Sequence, residues 1–287
     1  MQKVYERKDV DIAWCPGCGN FGILKLLEEV LEELAIEKEK IVIVSGIGQA
    51  AKTPYYVDTN MFGGLHGRAL PVATAVKVAN PGLTVIAEGG DGDMYGEGGN
   101  HFLHTIRRNT DIVHIVHNNM VYGLTKGQAS PTSQKGFVSK VQVNGVGNEP
   151  FNPLSVALSM KAGFVSRVNI GNYKHAKEVI KAAFAHRGYA LVDIFQPCVV
   201  FNKVNTYQWF RENTYELDDT YDATAFHEAI QKAHETMPMP LGIIYREKER
   251  RSTFEENLRG EDRSPLYTHQ HDPRKIQELF EEYRLEG

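Results

Sequence analysis

Two acidic residues lie inside a glycine-rich turn that follows an apolar run of the chain. The stretch GGDGDMYGEGGNH spans residues 89–101 and places Asp91 and Asp93 among six glycines. Glycines at a strand-to-helix turn let backbone N–H groups approach an anionic ligand, and the N-terminus of the following helix also favours negative charge. Two carboxylates at such a place would repel a phosphate unless a cation lies between them. The stretch therefore predicts a divalent metal ion that bridges a carboxylate to a diphosphate.

The next apolar run ends in two asparagines that could complete this metal site. DIVHIVHNN spans residues 111–119 and finishes with Asn118 and Asn119. Mg²⁺ takes oxygen ligands and commonly uses one or two protein groups together with phosphate oxygens, so a neutral amide oxygen suits it. Residues 93–117 suffice for one helix and one strand, which would bring the two motifs to neighbouring strand ends. Neither GxGxxG with a downstream acidic residue nor GxxxxGKS/T fits the glycine-rich stretch, which disfavours the nucleotide-binding folds.

The chain has three cysteines, and two of them form a CxxC. Cys15 and Cys18 are close together, whereas Cys198 lies far along the chain. A CxxC is half of a zinc site or a redox dithiol, but the dithiol needs a preceding strand that the charged residues 1–11 do not provide. A structural zinc ion needs four ligands in a closed site. Three buried free cysteines with no metal form the remaining alternative.

Apolar periodicity predicts the elements that position these residues. The predicted strands are continuous apolar runs with helices between them, which is typical of a parallel sheet covered on both faces. We therefore predict an α/β fold with a doubly wound, mostly parallel sheet, in which ligands bind beyond the carboxyl ends of the strands. Residues 1–204 form the predicted α/β domain, and the charged residues 205–287 a C-terminal arm or small subdomain. The predicted strands are 41–48, 83–93, 111–119, 163–168 and 189–198, and the predicted helices are 21–36, 69–79, 101–108, 153–162 and 173–186.

The amino-acid composition argues against a nucleic-acid-binding, a membrane-spanning and a disulfide-rich protein. The 287 residues include 32 Lys and Arg against 36 Asp and Glu, a net charge of −4 that argues against a nucleic-acid partner. No apolar run approaches the roughly 18 residues of a membrane-spanning helix. The three cysteines are an odd number and too few to form a disulfide framework. A reducing cytoplasm is therefore the expected location.

The motifs, taken together, resemble one known family over about residues 12–203. GDG followed at this interval by NN resembles the thiamine diphosphate-binding motif, and its surroundings are similar to the beta subunit of 2-oxoacid:ferredoxin oxidoreductases. The resemblance implies the diphosphate-domain fold, thiamine diphosphate, Mg²⁺ and an iron–sulfur cluster. It also implies oxidative decarboxylation of a 2-oxoacid with coenzyme A to acyl-CoA and CO₂, with electrons passing to ferredoxin; 2-oxoglutarate is favoured and pyruvate comes next. The similar stretches are WCPGCGNFGIL, LHGRALPVA, HNNMVYGLTKGQASPTS and FQPCVVFN.

The resemblance also implies roles for individual residues. Mg²⁺ would bind Asp91, Asn119 and the carbonyl of Val121. Apart from the resemblance, we take Lys52 and Lys126 as candidates for electrostatic contact with the substrate carboxylate or the cofactor phosphates. A 4Fe–4S cluster would bind Cys15, Cys18 and Cys198, but Gln49 stands where the family has its remaining cysteine. The fourth ligand is therefore unassigned: Gln49, water or a residue of a partner are open, and so is a labile or three-iron cluster. The cofactor-binding residues would be Ile47, Gly48, Gln49, Ala50, His66, Gly67, Arg68, Gly92, Asp93, Gly123, Leu124 and Thr125.

A partner subunit is expected, because the sheet motifs include no residue suited to contact the aminopyrimidine ring of the cofactor. Thiamine enzymes use a glutamate against the aminopyrimidine ring, and no convincing candidate accompanies the sheet motifs. The resemblance assigns that glutamate and the pyrimidine side of the site to an alpha subunit, in a dimer of alpha–beta heterodimers, so this chain alone is expected to be inactive. Two alternatives remain: a subunit of a non-oxidative thiamine-dependent decarboxylase or synthase, which would need no CPGC or QPC, and a non-catalytic electron-transfer subunit.

Overall fold

An eight-stranded sheet forms the centre of the protein. The computed structural model describes residues 5–284 except residues 9 and 271, so the outer ends of both predicted domains lie outside the described residues. The strand order is β2-β1-β3-β4-β6-β5-β8-β7, and the first six strands in this order are parallel. The strands are β1 (Ile41–Ser45), β2 (Asn60–Gly63), β3 (Thr84–Gly90), β4 (Ile112–Asn118), β5 (Phe164–Asn169), β6 (Tyr189–Phe195), β7 (Thr214–Glu216) and β8 (Met239–Arg246).

Helices cover both faces of this sheet. The side chains of α1 and α5 pack on one face against alternate residues of the strands, such as Ile43 and Ile86. The side chains of α2, α3, α4 and α7 pack on the other face, against residues such as Val44 and Ala87. The predicted doubly wound α/β fold is therefore confirmed. The α-helices are α1 (Gly19–Leu34), α2 (Ala69–Ala79), α3 (Gly99–Arg108), α4 (Pro153–Ser159), α5 (Tyr173–Ala185), α6 (Tyr207–Glu212), α7 (Phe226–Ala233), α8 (Phe254–Arg259) and α9 (Pro273–Glu282).

Three strand ends meet at the middle of the carboxyl edge. β3 lies between β1 and β4, with Ser45 beside Glu88 and Gly90 beside His117. The segments after β1, β3 and β4 therefore leave the sheet next to one another. The predicted convergence of the two motifs on one sheet edge follows directly from this parallel order.

Local structure departs from the sequence prediction around the glycine-rich turn. The predicted strand 83–93 ends at Gly90, and a short π-helical segment, Gly92–Glu97, follows it before α3. Such π-helical turns are uncommon and often occur at functional sites. Short 3₁₀ segments at Lys38–Lys40, Ala50–Tyr55 and Leu266–Thr268 and the edge strand β2 also lie outside the predicted elements.

The C-terminal region contributes to the same sheet. β8 pairs antiparallel with β5, and β7 pairs parallel with β8 at the sheet edge. The predicted division at residue 204 stays a prediction. No helix in the described ranges combines the length and apolar character needed to cross a membrane.

Candidate functional site

A cavity opens where the segments after β1, β3 and β4 meet. Its walls come from the loop after β1, from the turn after β3 and from the loop after β4, with His66 added from the segment before α2. The structure thus brings together most of the cofactor-binding and magnesium residues predicted from the sequence. The lining residues are Ile47, Gly48, Gln49, Ala50, His66, Gly90, Asp91, Gly92, Asp93, Asn119, Val121, Tyr122, Gly123, Leu124 and Thr125.

Asp91 is a buried carboxylate at the base of this cavity. Its Oδ2 accepts hydrogen bonds from the hydroxyls of Ser130 and Thr132, each at 2.5 Å, and its exposed fraction is 1%. Desolvation raises the pKa of Asp91 to about 6, although the two hydroxyl hydrogen bonds act to lower it. Among the described residues, no Lys, Arg or His side chain forms an ion pair with Asp91. A buried carboxylate with only neutral partners is the environment that an external cation would stabilise.

The two asparagines after β4 have different surroundings. Asn118 is buried and donates from Nδ2 to Asp193 Oδ1 at 3.1 Å, so its amide is engaged beneath the cavity. Asn119 lines the cavity, and its Oδ1 accepts from the N–H of Val121 at 3.1 Å, which leaves a second lone pair. Met120 between them has a φ of 58°, a left-handed conformation that reverses the chain direction here. Of the two asparagines, Asn119 is therefore the one positioned to act as a ligand.

The carboxylate of Asp93 organises the cavity wall. Its Oδ1 accepts from the N–H groups of Gly67 at 2.7 Å and Ile47 at 3.2 Å, and His66 Nδ1 lies 3.0 Å away. Burial raises the pKa of Asp93, and the two backbone N–H groups oppose this shift. Asp93 thus joins the loop after β1 to the segment before α2, and its charge is directed to these N–H groups.

Four of the residues predicted to contact the cofactor or the substrate lie outside the cavity lining. Gly67 contributes through its hydrogen bond to Asp93, whereas Arg68 is exposed and reaches toward the carbonyls of Gly67 and Glu97. Within the described part of the chain, Lys52 and Lys126 also lie outside the lining. The roles predicted for these residues stay predictions.

Sequence reasoning missed the hydroxyl groups that hold Asp91 and the ring of Tyr122. Ser130 and Thr132 come from the Ser/Thr/Pro-rich loop after β4, and the run of hydroxyl residues SPTS was the available signal. Tyr122 donates from its hydroxyl to the carbonyl of Gly92 at 3.2 Å. A Cβ at Gly92 would lie 2.2 Å from the Tyr122 ring, so only glycine allows this close approach.

A buried ionic network supports the strand ends from below. Arg167 on β5 donates from Nε to Asp193 Oδ2 on β6 at 2.8 Å, and both side chains are almost completely buried. The hydroxyl of Tyr95 donates to Asp193 Oδ1 at 3.0 Å, beside the amide of Asn118. Asp193 thereby connects β4, β6 and the π-helical segment beneath the cavity.

The three cysteines line a second, adjacent cavity. Cys15 is exposed while Cys18 and Cys198 are half-buried, which disfavours the alternative of three buried structural cysteines. Burial raises the pKa of the Cys18 thiol to about 11, and charges on Cys198 and Cys15 raise it further. A metal would have to displace the Cys18 proton, because thiolates rather than thiols are ligands. The cavity is lined by Trp14, Cys15, Cys18, Asn20, Gln49, Asn119, Gly123, Cys198, Val199, Val200 and Phe201.

The donor groups of the two cavities suit different metals. In the described ranges, no three His, Cys, Asp or Glu side chains are grouped closely enough to hold a metal ion by themselves. The lining of the first cavity includes the carboxylate of Asp91 and the amide oxygen of Asn119, which suit Mg²⁺ when phosphate oxygens complete its shell. The second offers three thiols, the ligands of iron–sulfur clusters.

Two family models match this chain. Residues 43–194 match the thiamine pyrophosphate enzyme C-terminal TPP-binding domain, a range that contains every lining residue of the first cavity. Residues 198–262 match the C-terminal part of the pyruvate ferredoxin oxidoreductase beta subunit. The second match begins at Cys198 and includes β7 and β8.

Known proteins are similar over most of the chain. The beta subunit of 2-oxoacid:ferredoxin oxidoreductase from Saccharolobus solfataricus is 42% identical over 268 residues, which cover 88% of this chain and 87% of that protein. The 2-oxoglutarate oxidoreductase subunit KorB of Mycobacterium tuberculosis is 45% identical over 68% of this chain and 52% of its own length. Among solved structures, 2-oxoglutarate:ferredoxin oxidoreductase from Magnetococcus marinus superimposes with a TM-score of 0.88. The two sequences are 37% identical, and the superposition covers 96% of this chain and 94% of that chain.

Proposed function

Because this chain belongs to the family of 2-oxoacid:ferredoxin oxidoreductase beta subunits, we propose that it holds the diphosphate of thiamine diphosphate through Mg²⁺ in the first cavity. With an alpha subunit it would oxidatively decarboxylate a 2-oxoacid and form acyl-CoA from coenzyme A. 2-Oxoglutarate is the favoured substrate, which agrees with the name of the Magnetococcus marinus structure, and pyruvate is next. A dimer of alpha–beta heterodimers and a cytoplasmic location stay predictions.

The environment of Asp91 is the observation that carries this proposal. Its carboxylate is buried at the meeting point of three strand ends, has hydroxyl partners, and lies in the same cavity as Asn119 and Val121. A diphosphate beside this carboxylate requires a cation, and the oxygen donors suit Mg²⁺. We assign Asp91, Asn119 and the Val121 carbonyl as its protein ligands.

Other residues of the cavity would position and shield the cofactor. The chemistry supplied by bound thiamine diphosphate is carbanion attack on the 2-oxo carbon followed by loss of CO₂. Glycines at 48, 92 and 123 contribute no side chains to the lining of the cavity. Asp93 holds two of these loops together through Gly67 and Ile47.

We further propose that Cys15, Cys18 and Cys198 bind an iron–sulfur cluster that passes electrons to ferredoxin. These thiols line a cavity that shares Gln49, Asn119 and Gly123 with the cofactor cavity, so the two sites are adjacent. Such a cluster would accept electrons one at a time. A non-oxidative decarboxylase would have no use for this arrangement, which favours the oxidative reaction over that alternative.

The proposed function predicts that the isolated chain has no activity. We expect 2-oxoacid-dependent reduction of a viologen dye only when the chain is purified with its alpha subunit and supplied with thiamine diphosphate and Mg²⁺. The reason is that this chain provides only the diphosphate side of the cofactor site. An anaerobic assay across several 2-oxoacids with coenzyme A measures this. Dye reduction by the isolated chain would contradict the prediction, and an inactive complete complex would contradict the proposed reaction.

Magnesium-dependent cofactor binding is expected to weaken below about pH 6. In the metal-free protein, burial raises the pKa of Asp91 to about 6, so a proton competes with the metal below that value. The contribution of Asp91 to the apparent affinity should fall about tenfold per pH unit below pH 6 and stay nearly constant above it. Calorimetric titration of the complex with thiamine diphosphate in excess Mg²⁺ measures this dependence.

The phosphate groups of the cofactor titrate in the same range and need their own control. An Asp91→Asn variant lacks the ionisable group and reports only the pH dependence that belongs to the cofactor. The difference between the two profiles isolates Asp91. Identical profiles would show that Asp91 does not bind the metal as a carboxylate.

A further inference from the structure

Gln49 forms part of the wall between the two cavities. It lines the cofactor cavity with Ile47 and Gly48, and it also lines the cysteine cavity with Trp14 and Cys198. Asn119 and Gly123 also line both cavities. Any group bound by the three cysteines would therefore lie against Gln49 on the side that faces the cofactor.

The structure holds Gln49 firmly in this position. Its backbone carbonyl accepts a hydrogen bond from the indole N–H of Trp14 at 2.8 Å, which joins it to the residue before Cys15. A Cβ built on Gly123 would lie 3.9 Å from both Gln49 Cγ and Cys198 Sγ, so these two side chains approach the same small residue. The CxxC segment, Cys198 and Gln49 thus line the same cavity.

The amide oxygen of Gln49 is buried and has no hydrogen-bond partner among the described residues. Buried polar atoms are normally paired, because an unpaired carbonyl loses its hydration without compensation. Asn119 and Asn202 nearby do have partners, whereas the side chain of Gln196, close to Gly19, also has none among the described residues. The unpaired oxygen belongs to a side chain that shares a cavity lining with the three thiols, so it is available to a ligand that the protein chain itself does not supply.

We propose that an iron–sulfur cluster binds here through four of its iron atoms. Cys15, Cys18 and Cys198 each bind one iron, and Gln49 Oε1 binds the fourth. The inference rests on the proposed function, since it takes the three-cysteine cluster as its starting point. Iron–sulfur clusters are held by soft thiolates, and a neutral amide oxygen is a harder and weaker donor for this iron. The iron at the Gln49 corner is consequently the labile one.

Lability of one iron has a defined chemical outcome. When a 4Fe–4S cluster in its 2+ state loses one electron to ferricyanide, the weakly held iron leaves as Fe²⁺. A 3Fe–4S cluster in its 1+ state remains on the three cysteines. The electron reduces ferricyanide to ferrocyanide, and no thiolate bond is broken. The four sulfides stay with the three remaining irons.

The test compares the wild-type complex with Gln49→Cys and Gln49→Ala variants, each reconstituted anaerobically with iron and sulfide. Iron and sulfide contents and the EPR spectrum are measured before and after one equivalent of ferricyanide. We expect the wild-type complex to lose about a quarter of its iron and to develop the EPR signal of an oxidised three-iron cluster. Gln49→Cys should retain its iron and stay EPR-silent, because a fourth thiolate holds that corner. Gln49→Ala should contain a three-iron cluster before ferricyanide is added.

Thiamine diphosphate binding, measured in parallel, separates the possible failures. Resistance of the wild-type cluster to ferricyanide, or equal iron loss in Gln49→Cys, would overturn the assignment of Gln49 while the three-cysteine cluster stands. Absence of iron from all three complexes, with cofactor binding intact, would overturn both the cluster and the role of Gln49. If the folded wild-type complex does not bind thiamine diphosphate, the proposed function of the first cavity is wrong.

Discussion

Replacing Asp91 with alanine is expected to lower the affinity of the complex for thiamine diphosphate roughly a thousandfold, with a matching loss of 2-oxoacid oxidation. Coordination of a divalent metal contributes several kcal/mol, and each 1.4 kcal/mol corresponds to a factor of ten. Asp91 is the only carboxylate among the three metal ligands that we assign, so its removal leaves two neutral oxygens to face the diphosphate. Calorimetric titration with the cofactor in excess Mg²⁺, together with the dye-reduction assay, measures both effects.

A matched variant distinguishes metal binding from a general change in charge. Glu97 belongs to the same π-helical segment as Asp93, but its side chain is exposed and outside the cavity lining. Glu97→Ala should therefore bind the cofactor within a few-fold of the unchanged complex. If Asp91→Ala also retained near-normal affinity while folded, the diphosphate would be held elsewhere and the proposed site would be wrong.

Loss of Arg167 is expected to have the largest effect on stability. Arg167→Met leaves the Asp193 carboxylate buried, with only the hydroxyl of Tyr95 and the amide of Asn118 as donors. Removing one partner of a buried ion pair typically costs about 3–5 kcal/mol of unfolding free energy. The guanidinium also lies 4.7 Å from the centre of the Phe195 ring, and methionine would lose this cation–π contact. Chemical denaturation monitored by circular dichroism measures the change.

The control for this prediction is an ion pair in a more exposed place. Lys177 on α5 lies 2.9 Å from both Glu29 and Glu33 on α1, and all three side chains are partly exposed. Lys177→Met should cost no more than about 1 kcal/mol, since water screens such pairs. Equal destabilisation by the two variants would mean that the Arg167–Asp193 pair has no special role beneath the cavity.

Several features of the site followed from the sequence because they depend on regular geometry. Parallel strands all end at one edge, so a motif after β3 and a motif after β4 had to meet once the apolar runs were recognised as buried strands. The direction of the strands alone therefore predicts that Asp91 and Asn119 lie close together. The resemblance of the motifs to one family then supplied the remaining residues of the loop after β1, including Gln49.

Other features depend on loops and sheet edges, for which periodicity gives no information. The antiparallel pairing of β8 with β5 joins residues far apart in the chain, and the weak pattern after residue 205 did not predict it. The contacts of Ser130 and Thr132 with Asp91 arise from the path of a long loop that has no regular spacing.

The amino-acid sequence by itself determined the α/β class, the succession of buried strands and helices, and the edge of the sheet at which the acidic and amide residues lie. These properties depend on the burial of apolar runs and on the direction of parallel strands, both of which are local or repetitive. The resemblance named Asn119 as the metal ligand, but only the tertiary structure gave the physical reason, since the left-handed turn at Met120 separates Asn118, bound to Asp193, from Asn119. The tertiary structure also decided that Gln49 stands between the two cavities, because that position depends on packing against Trp14 and beside Cys198, which are distant in sequence.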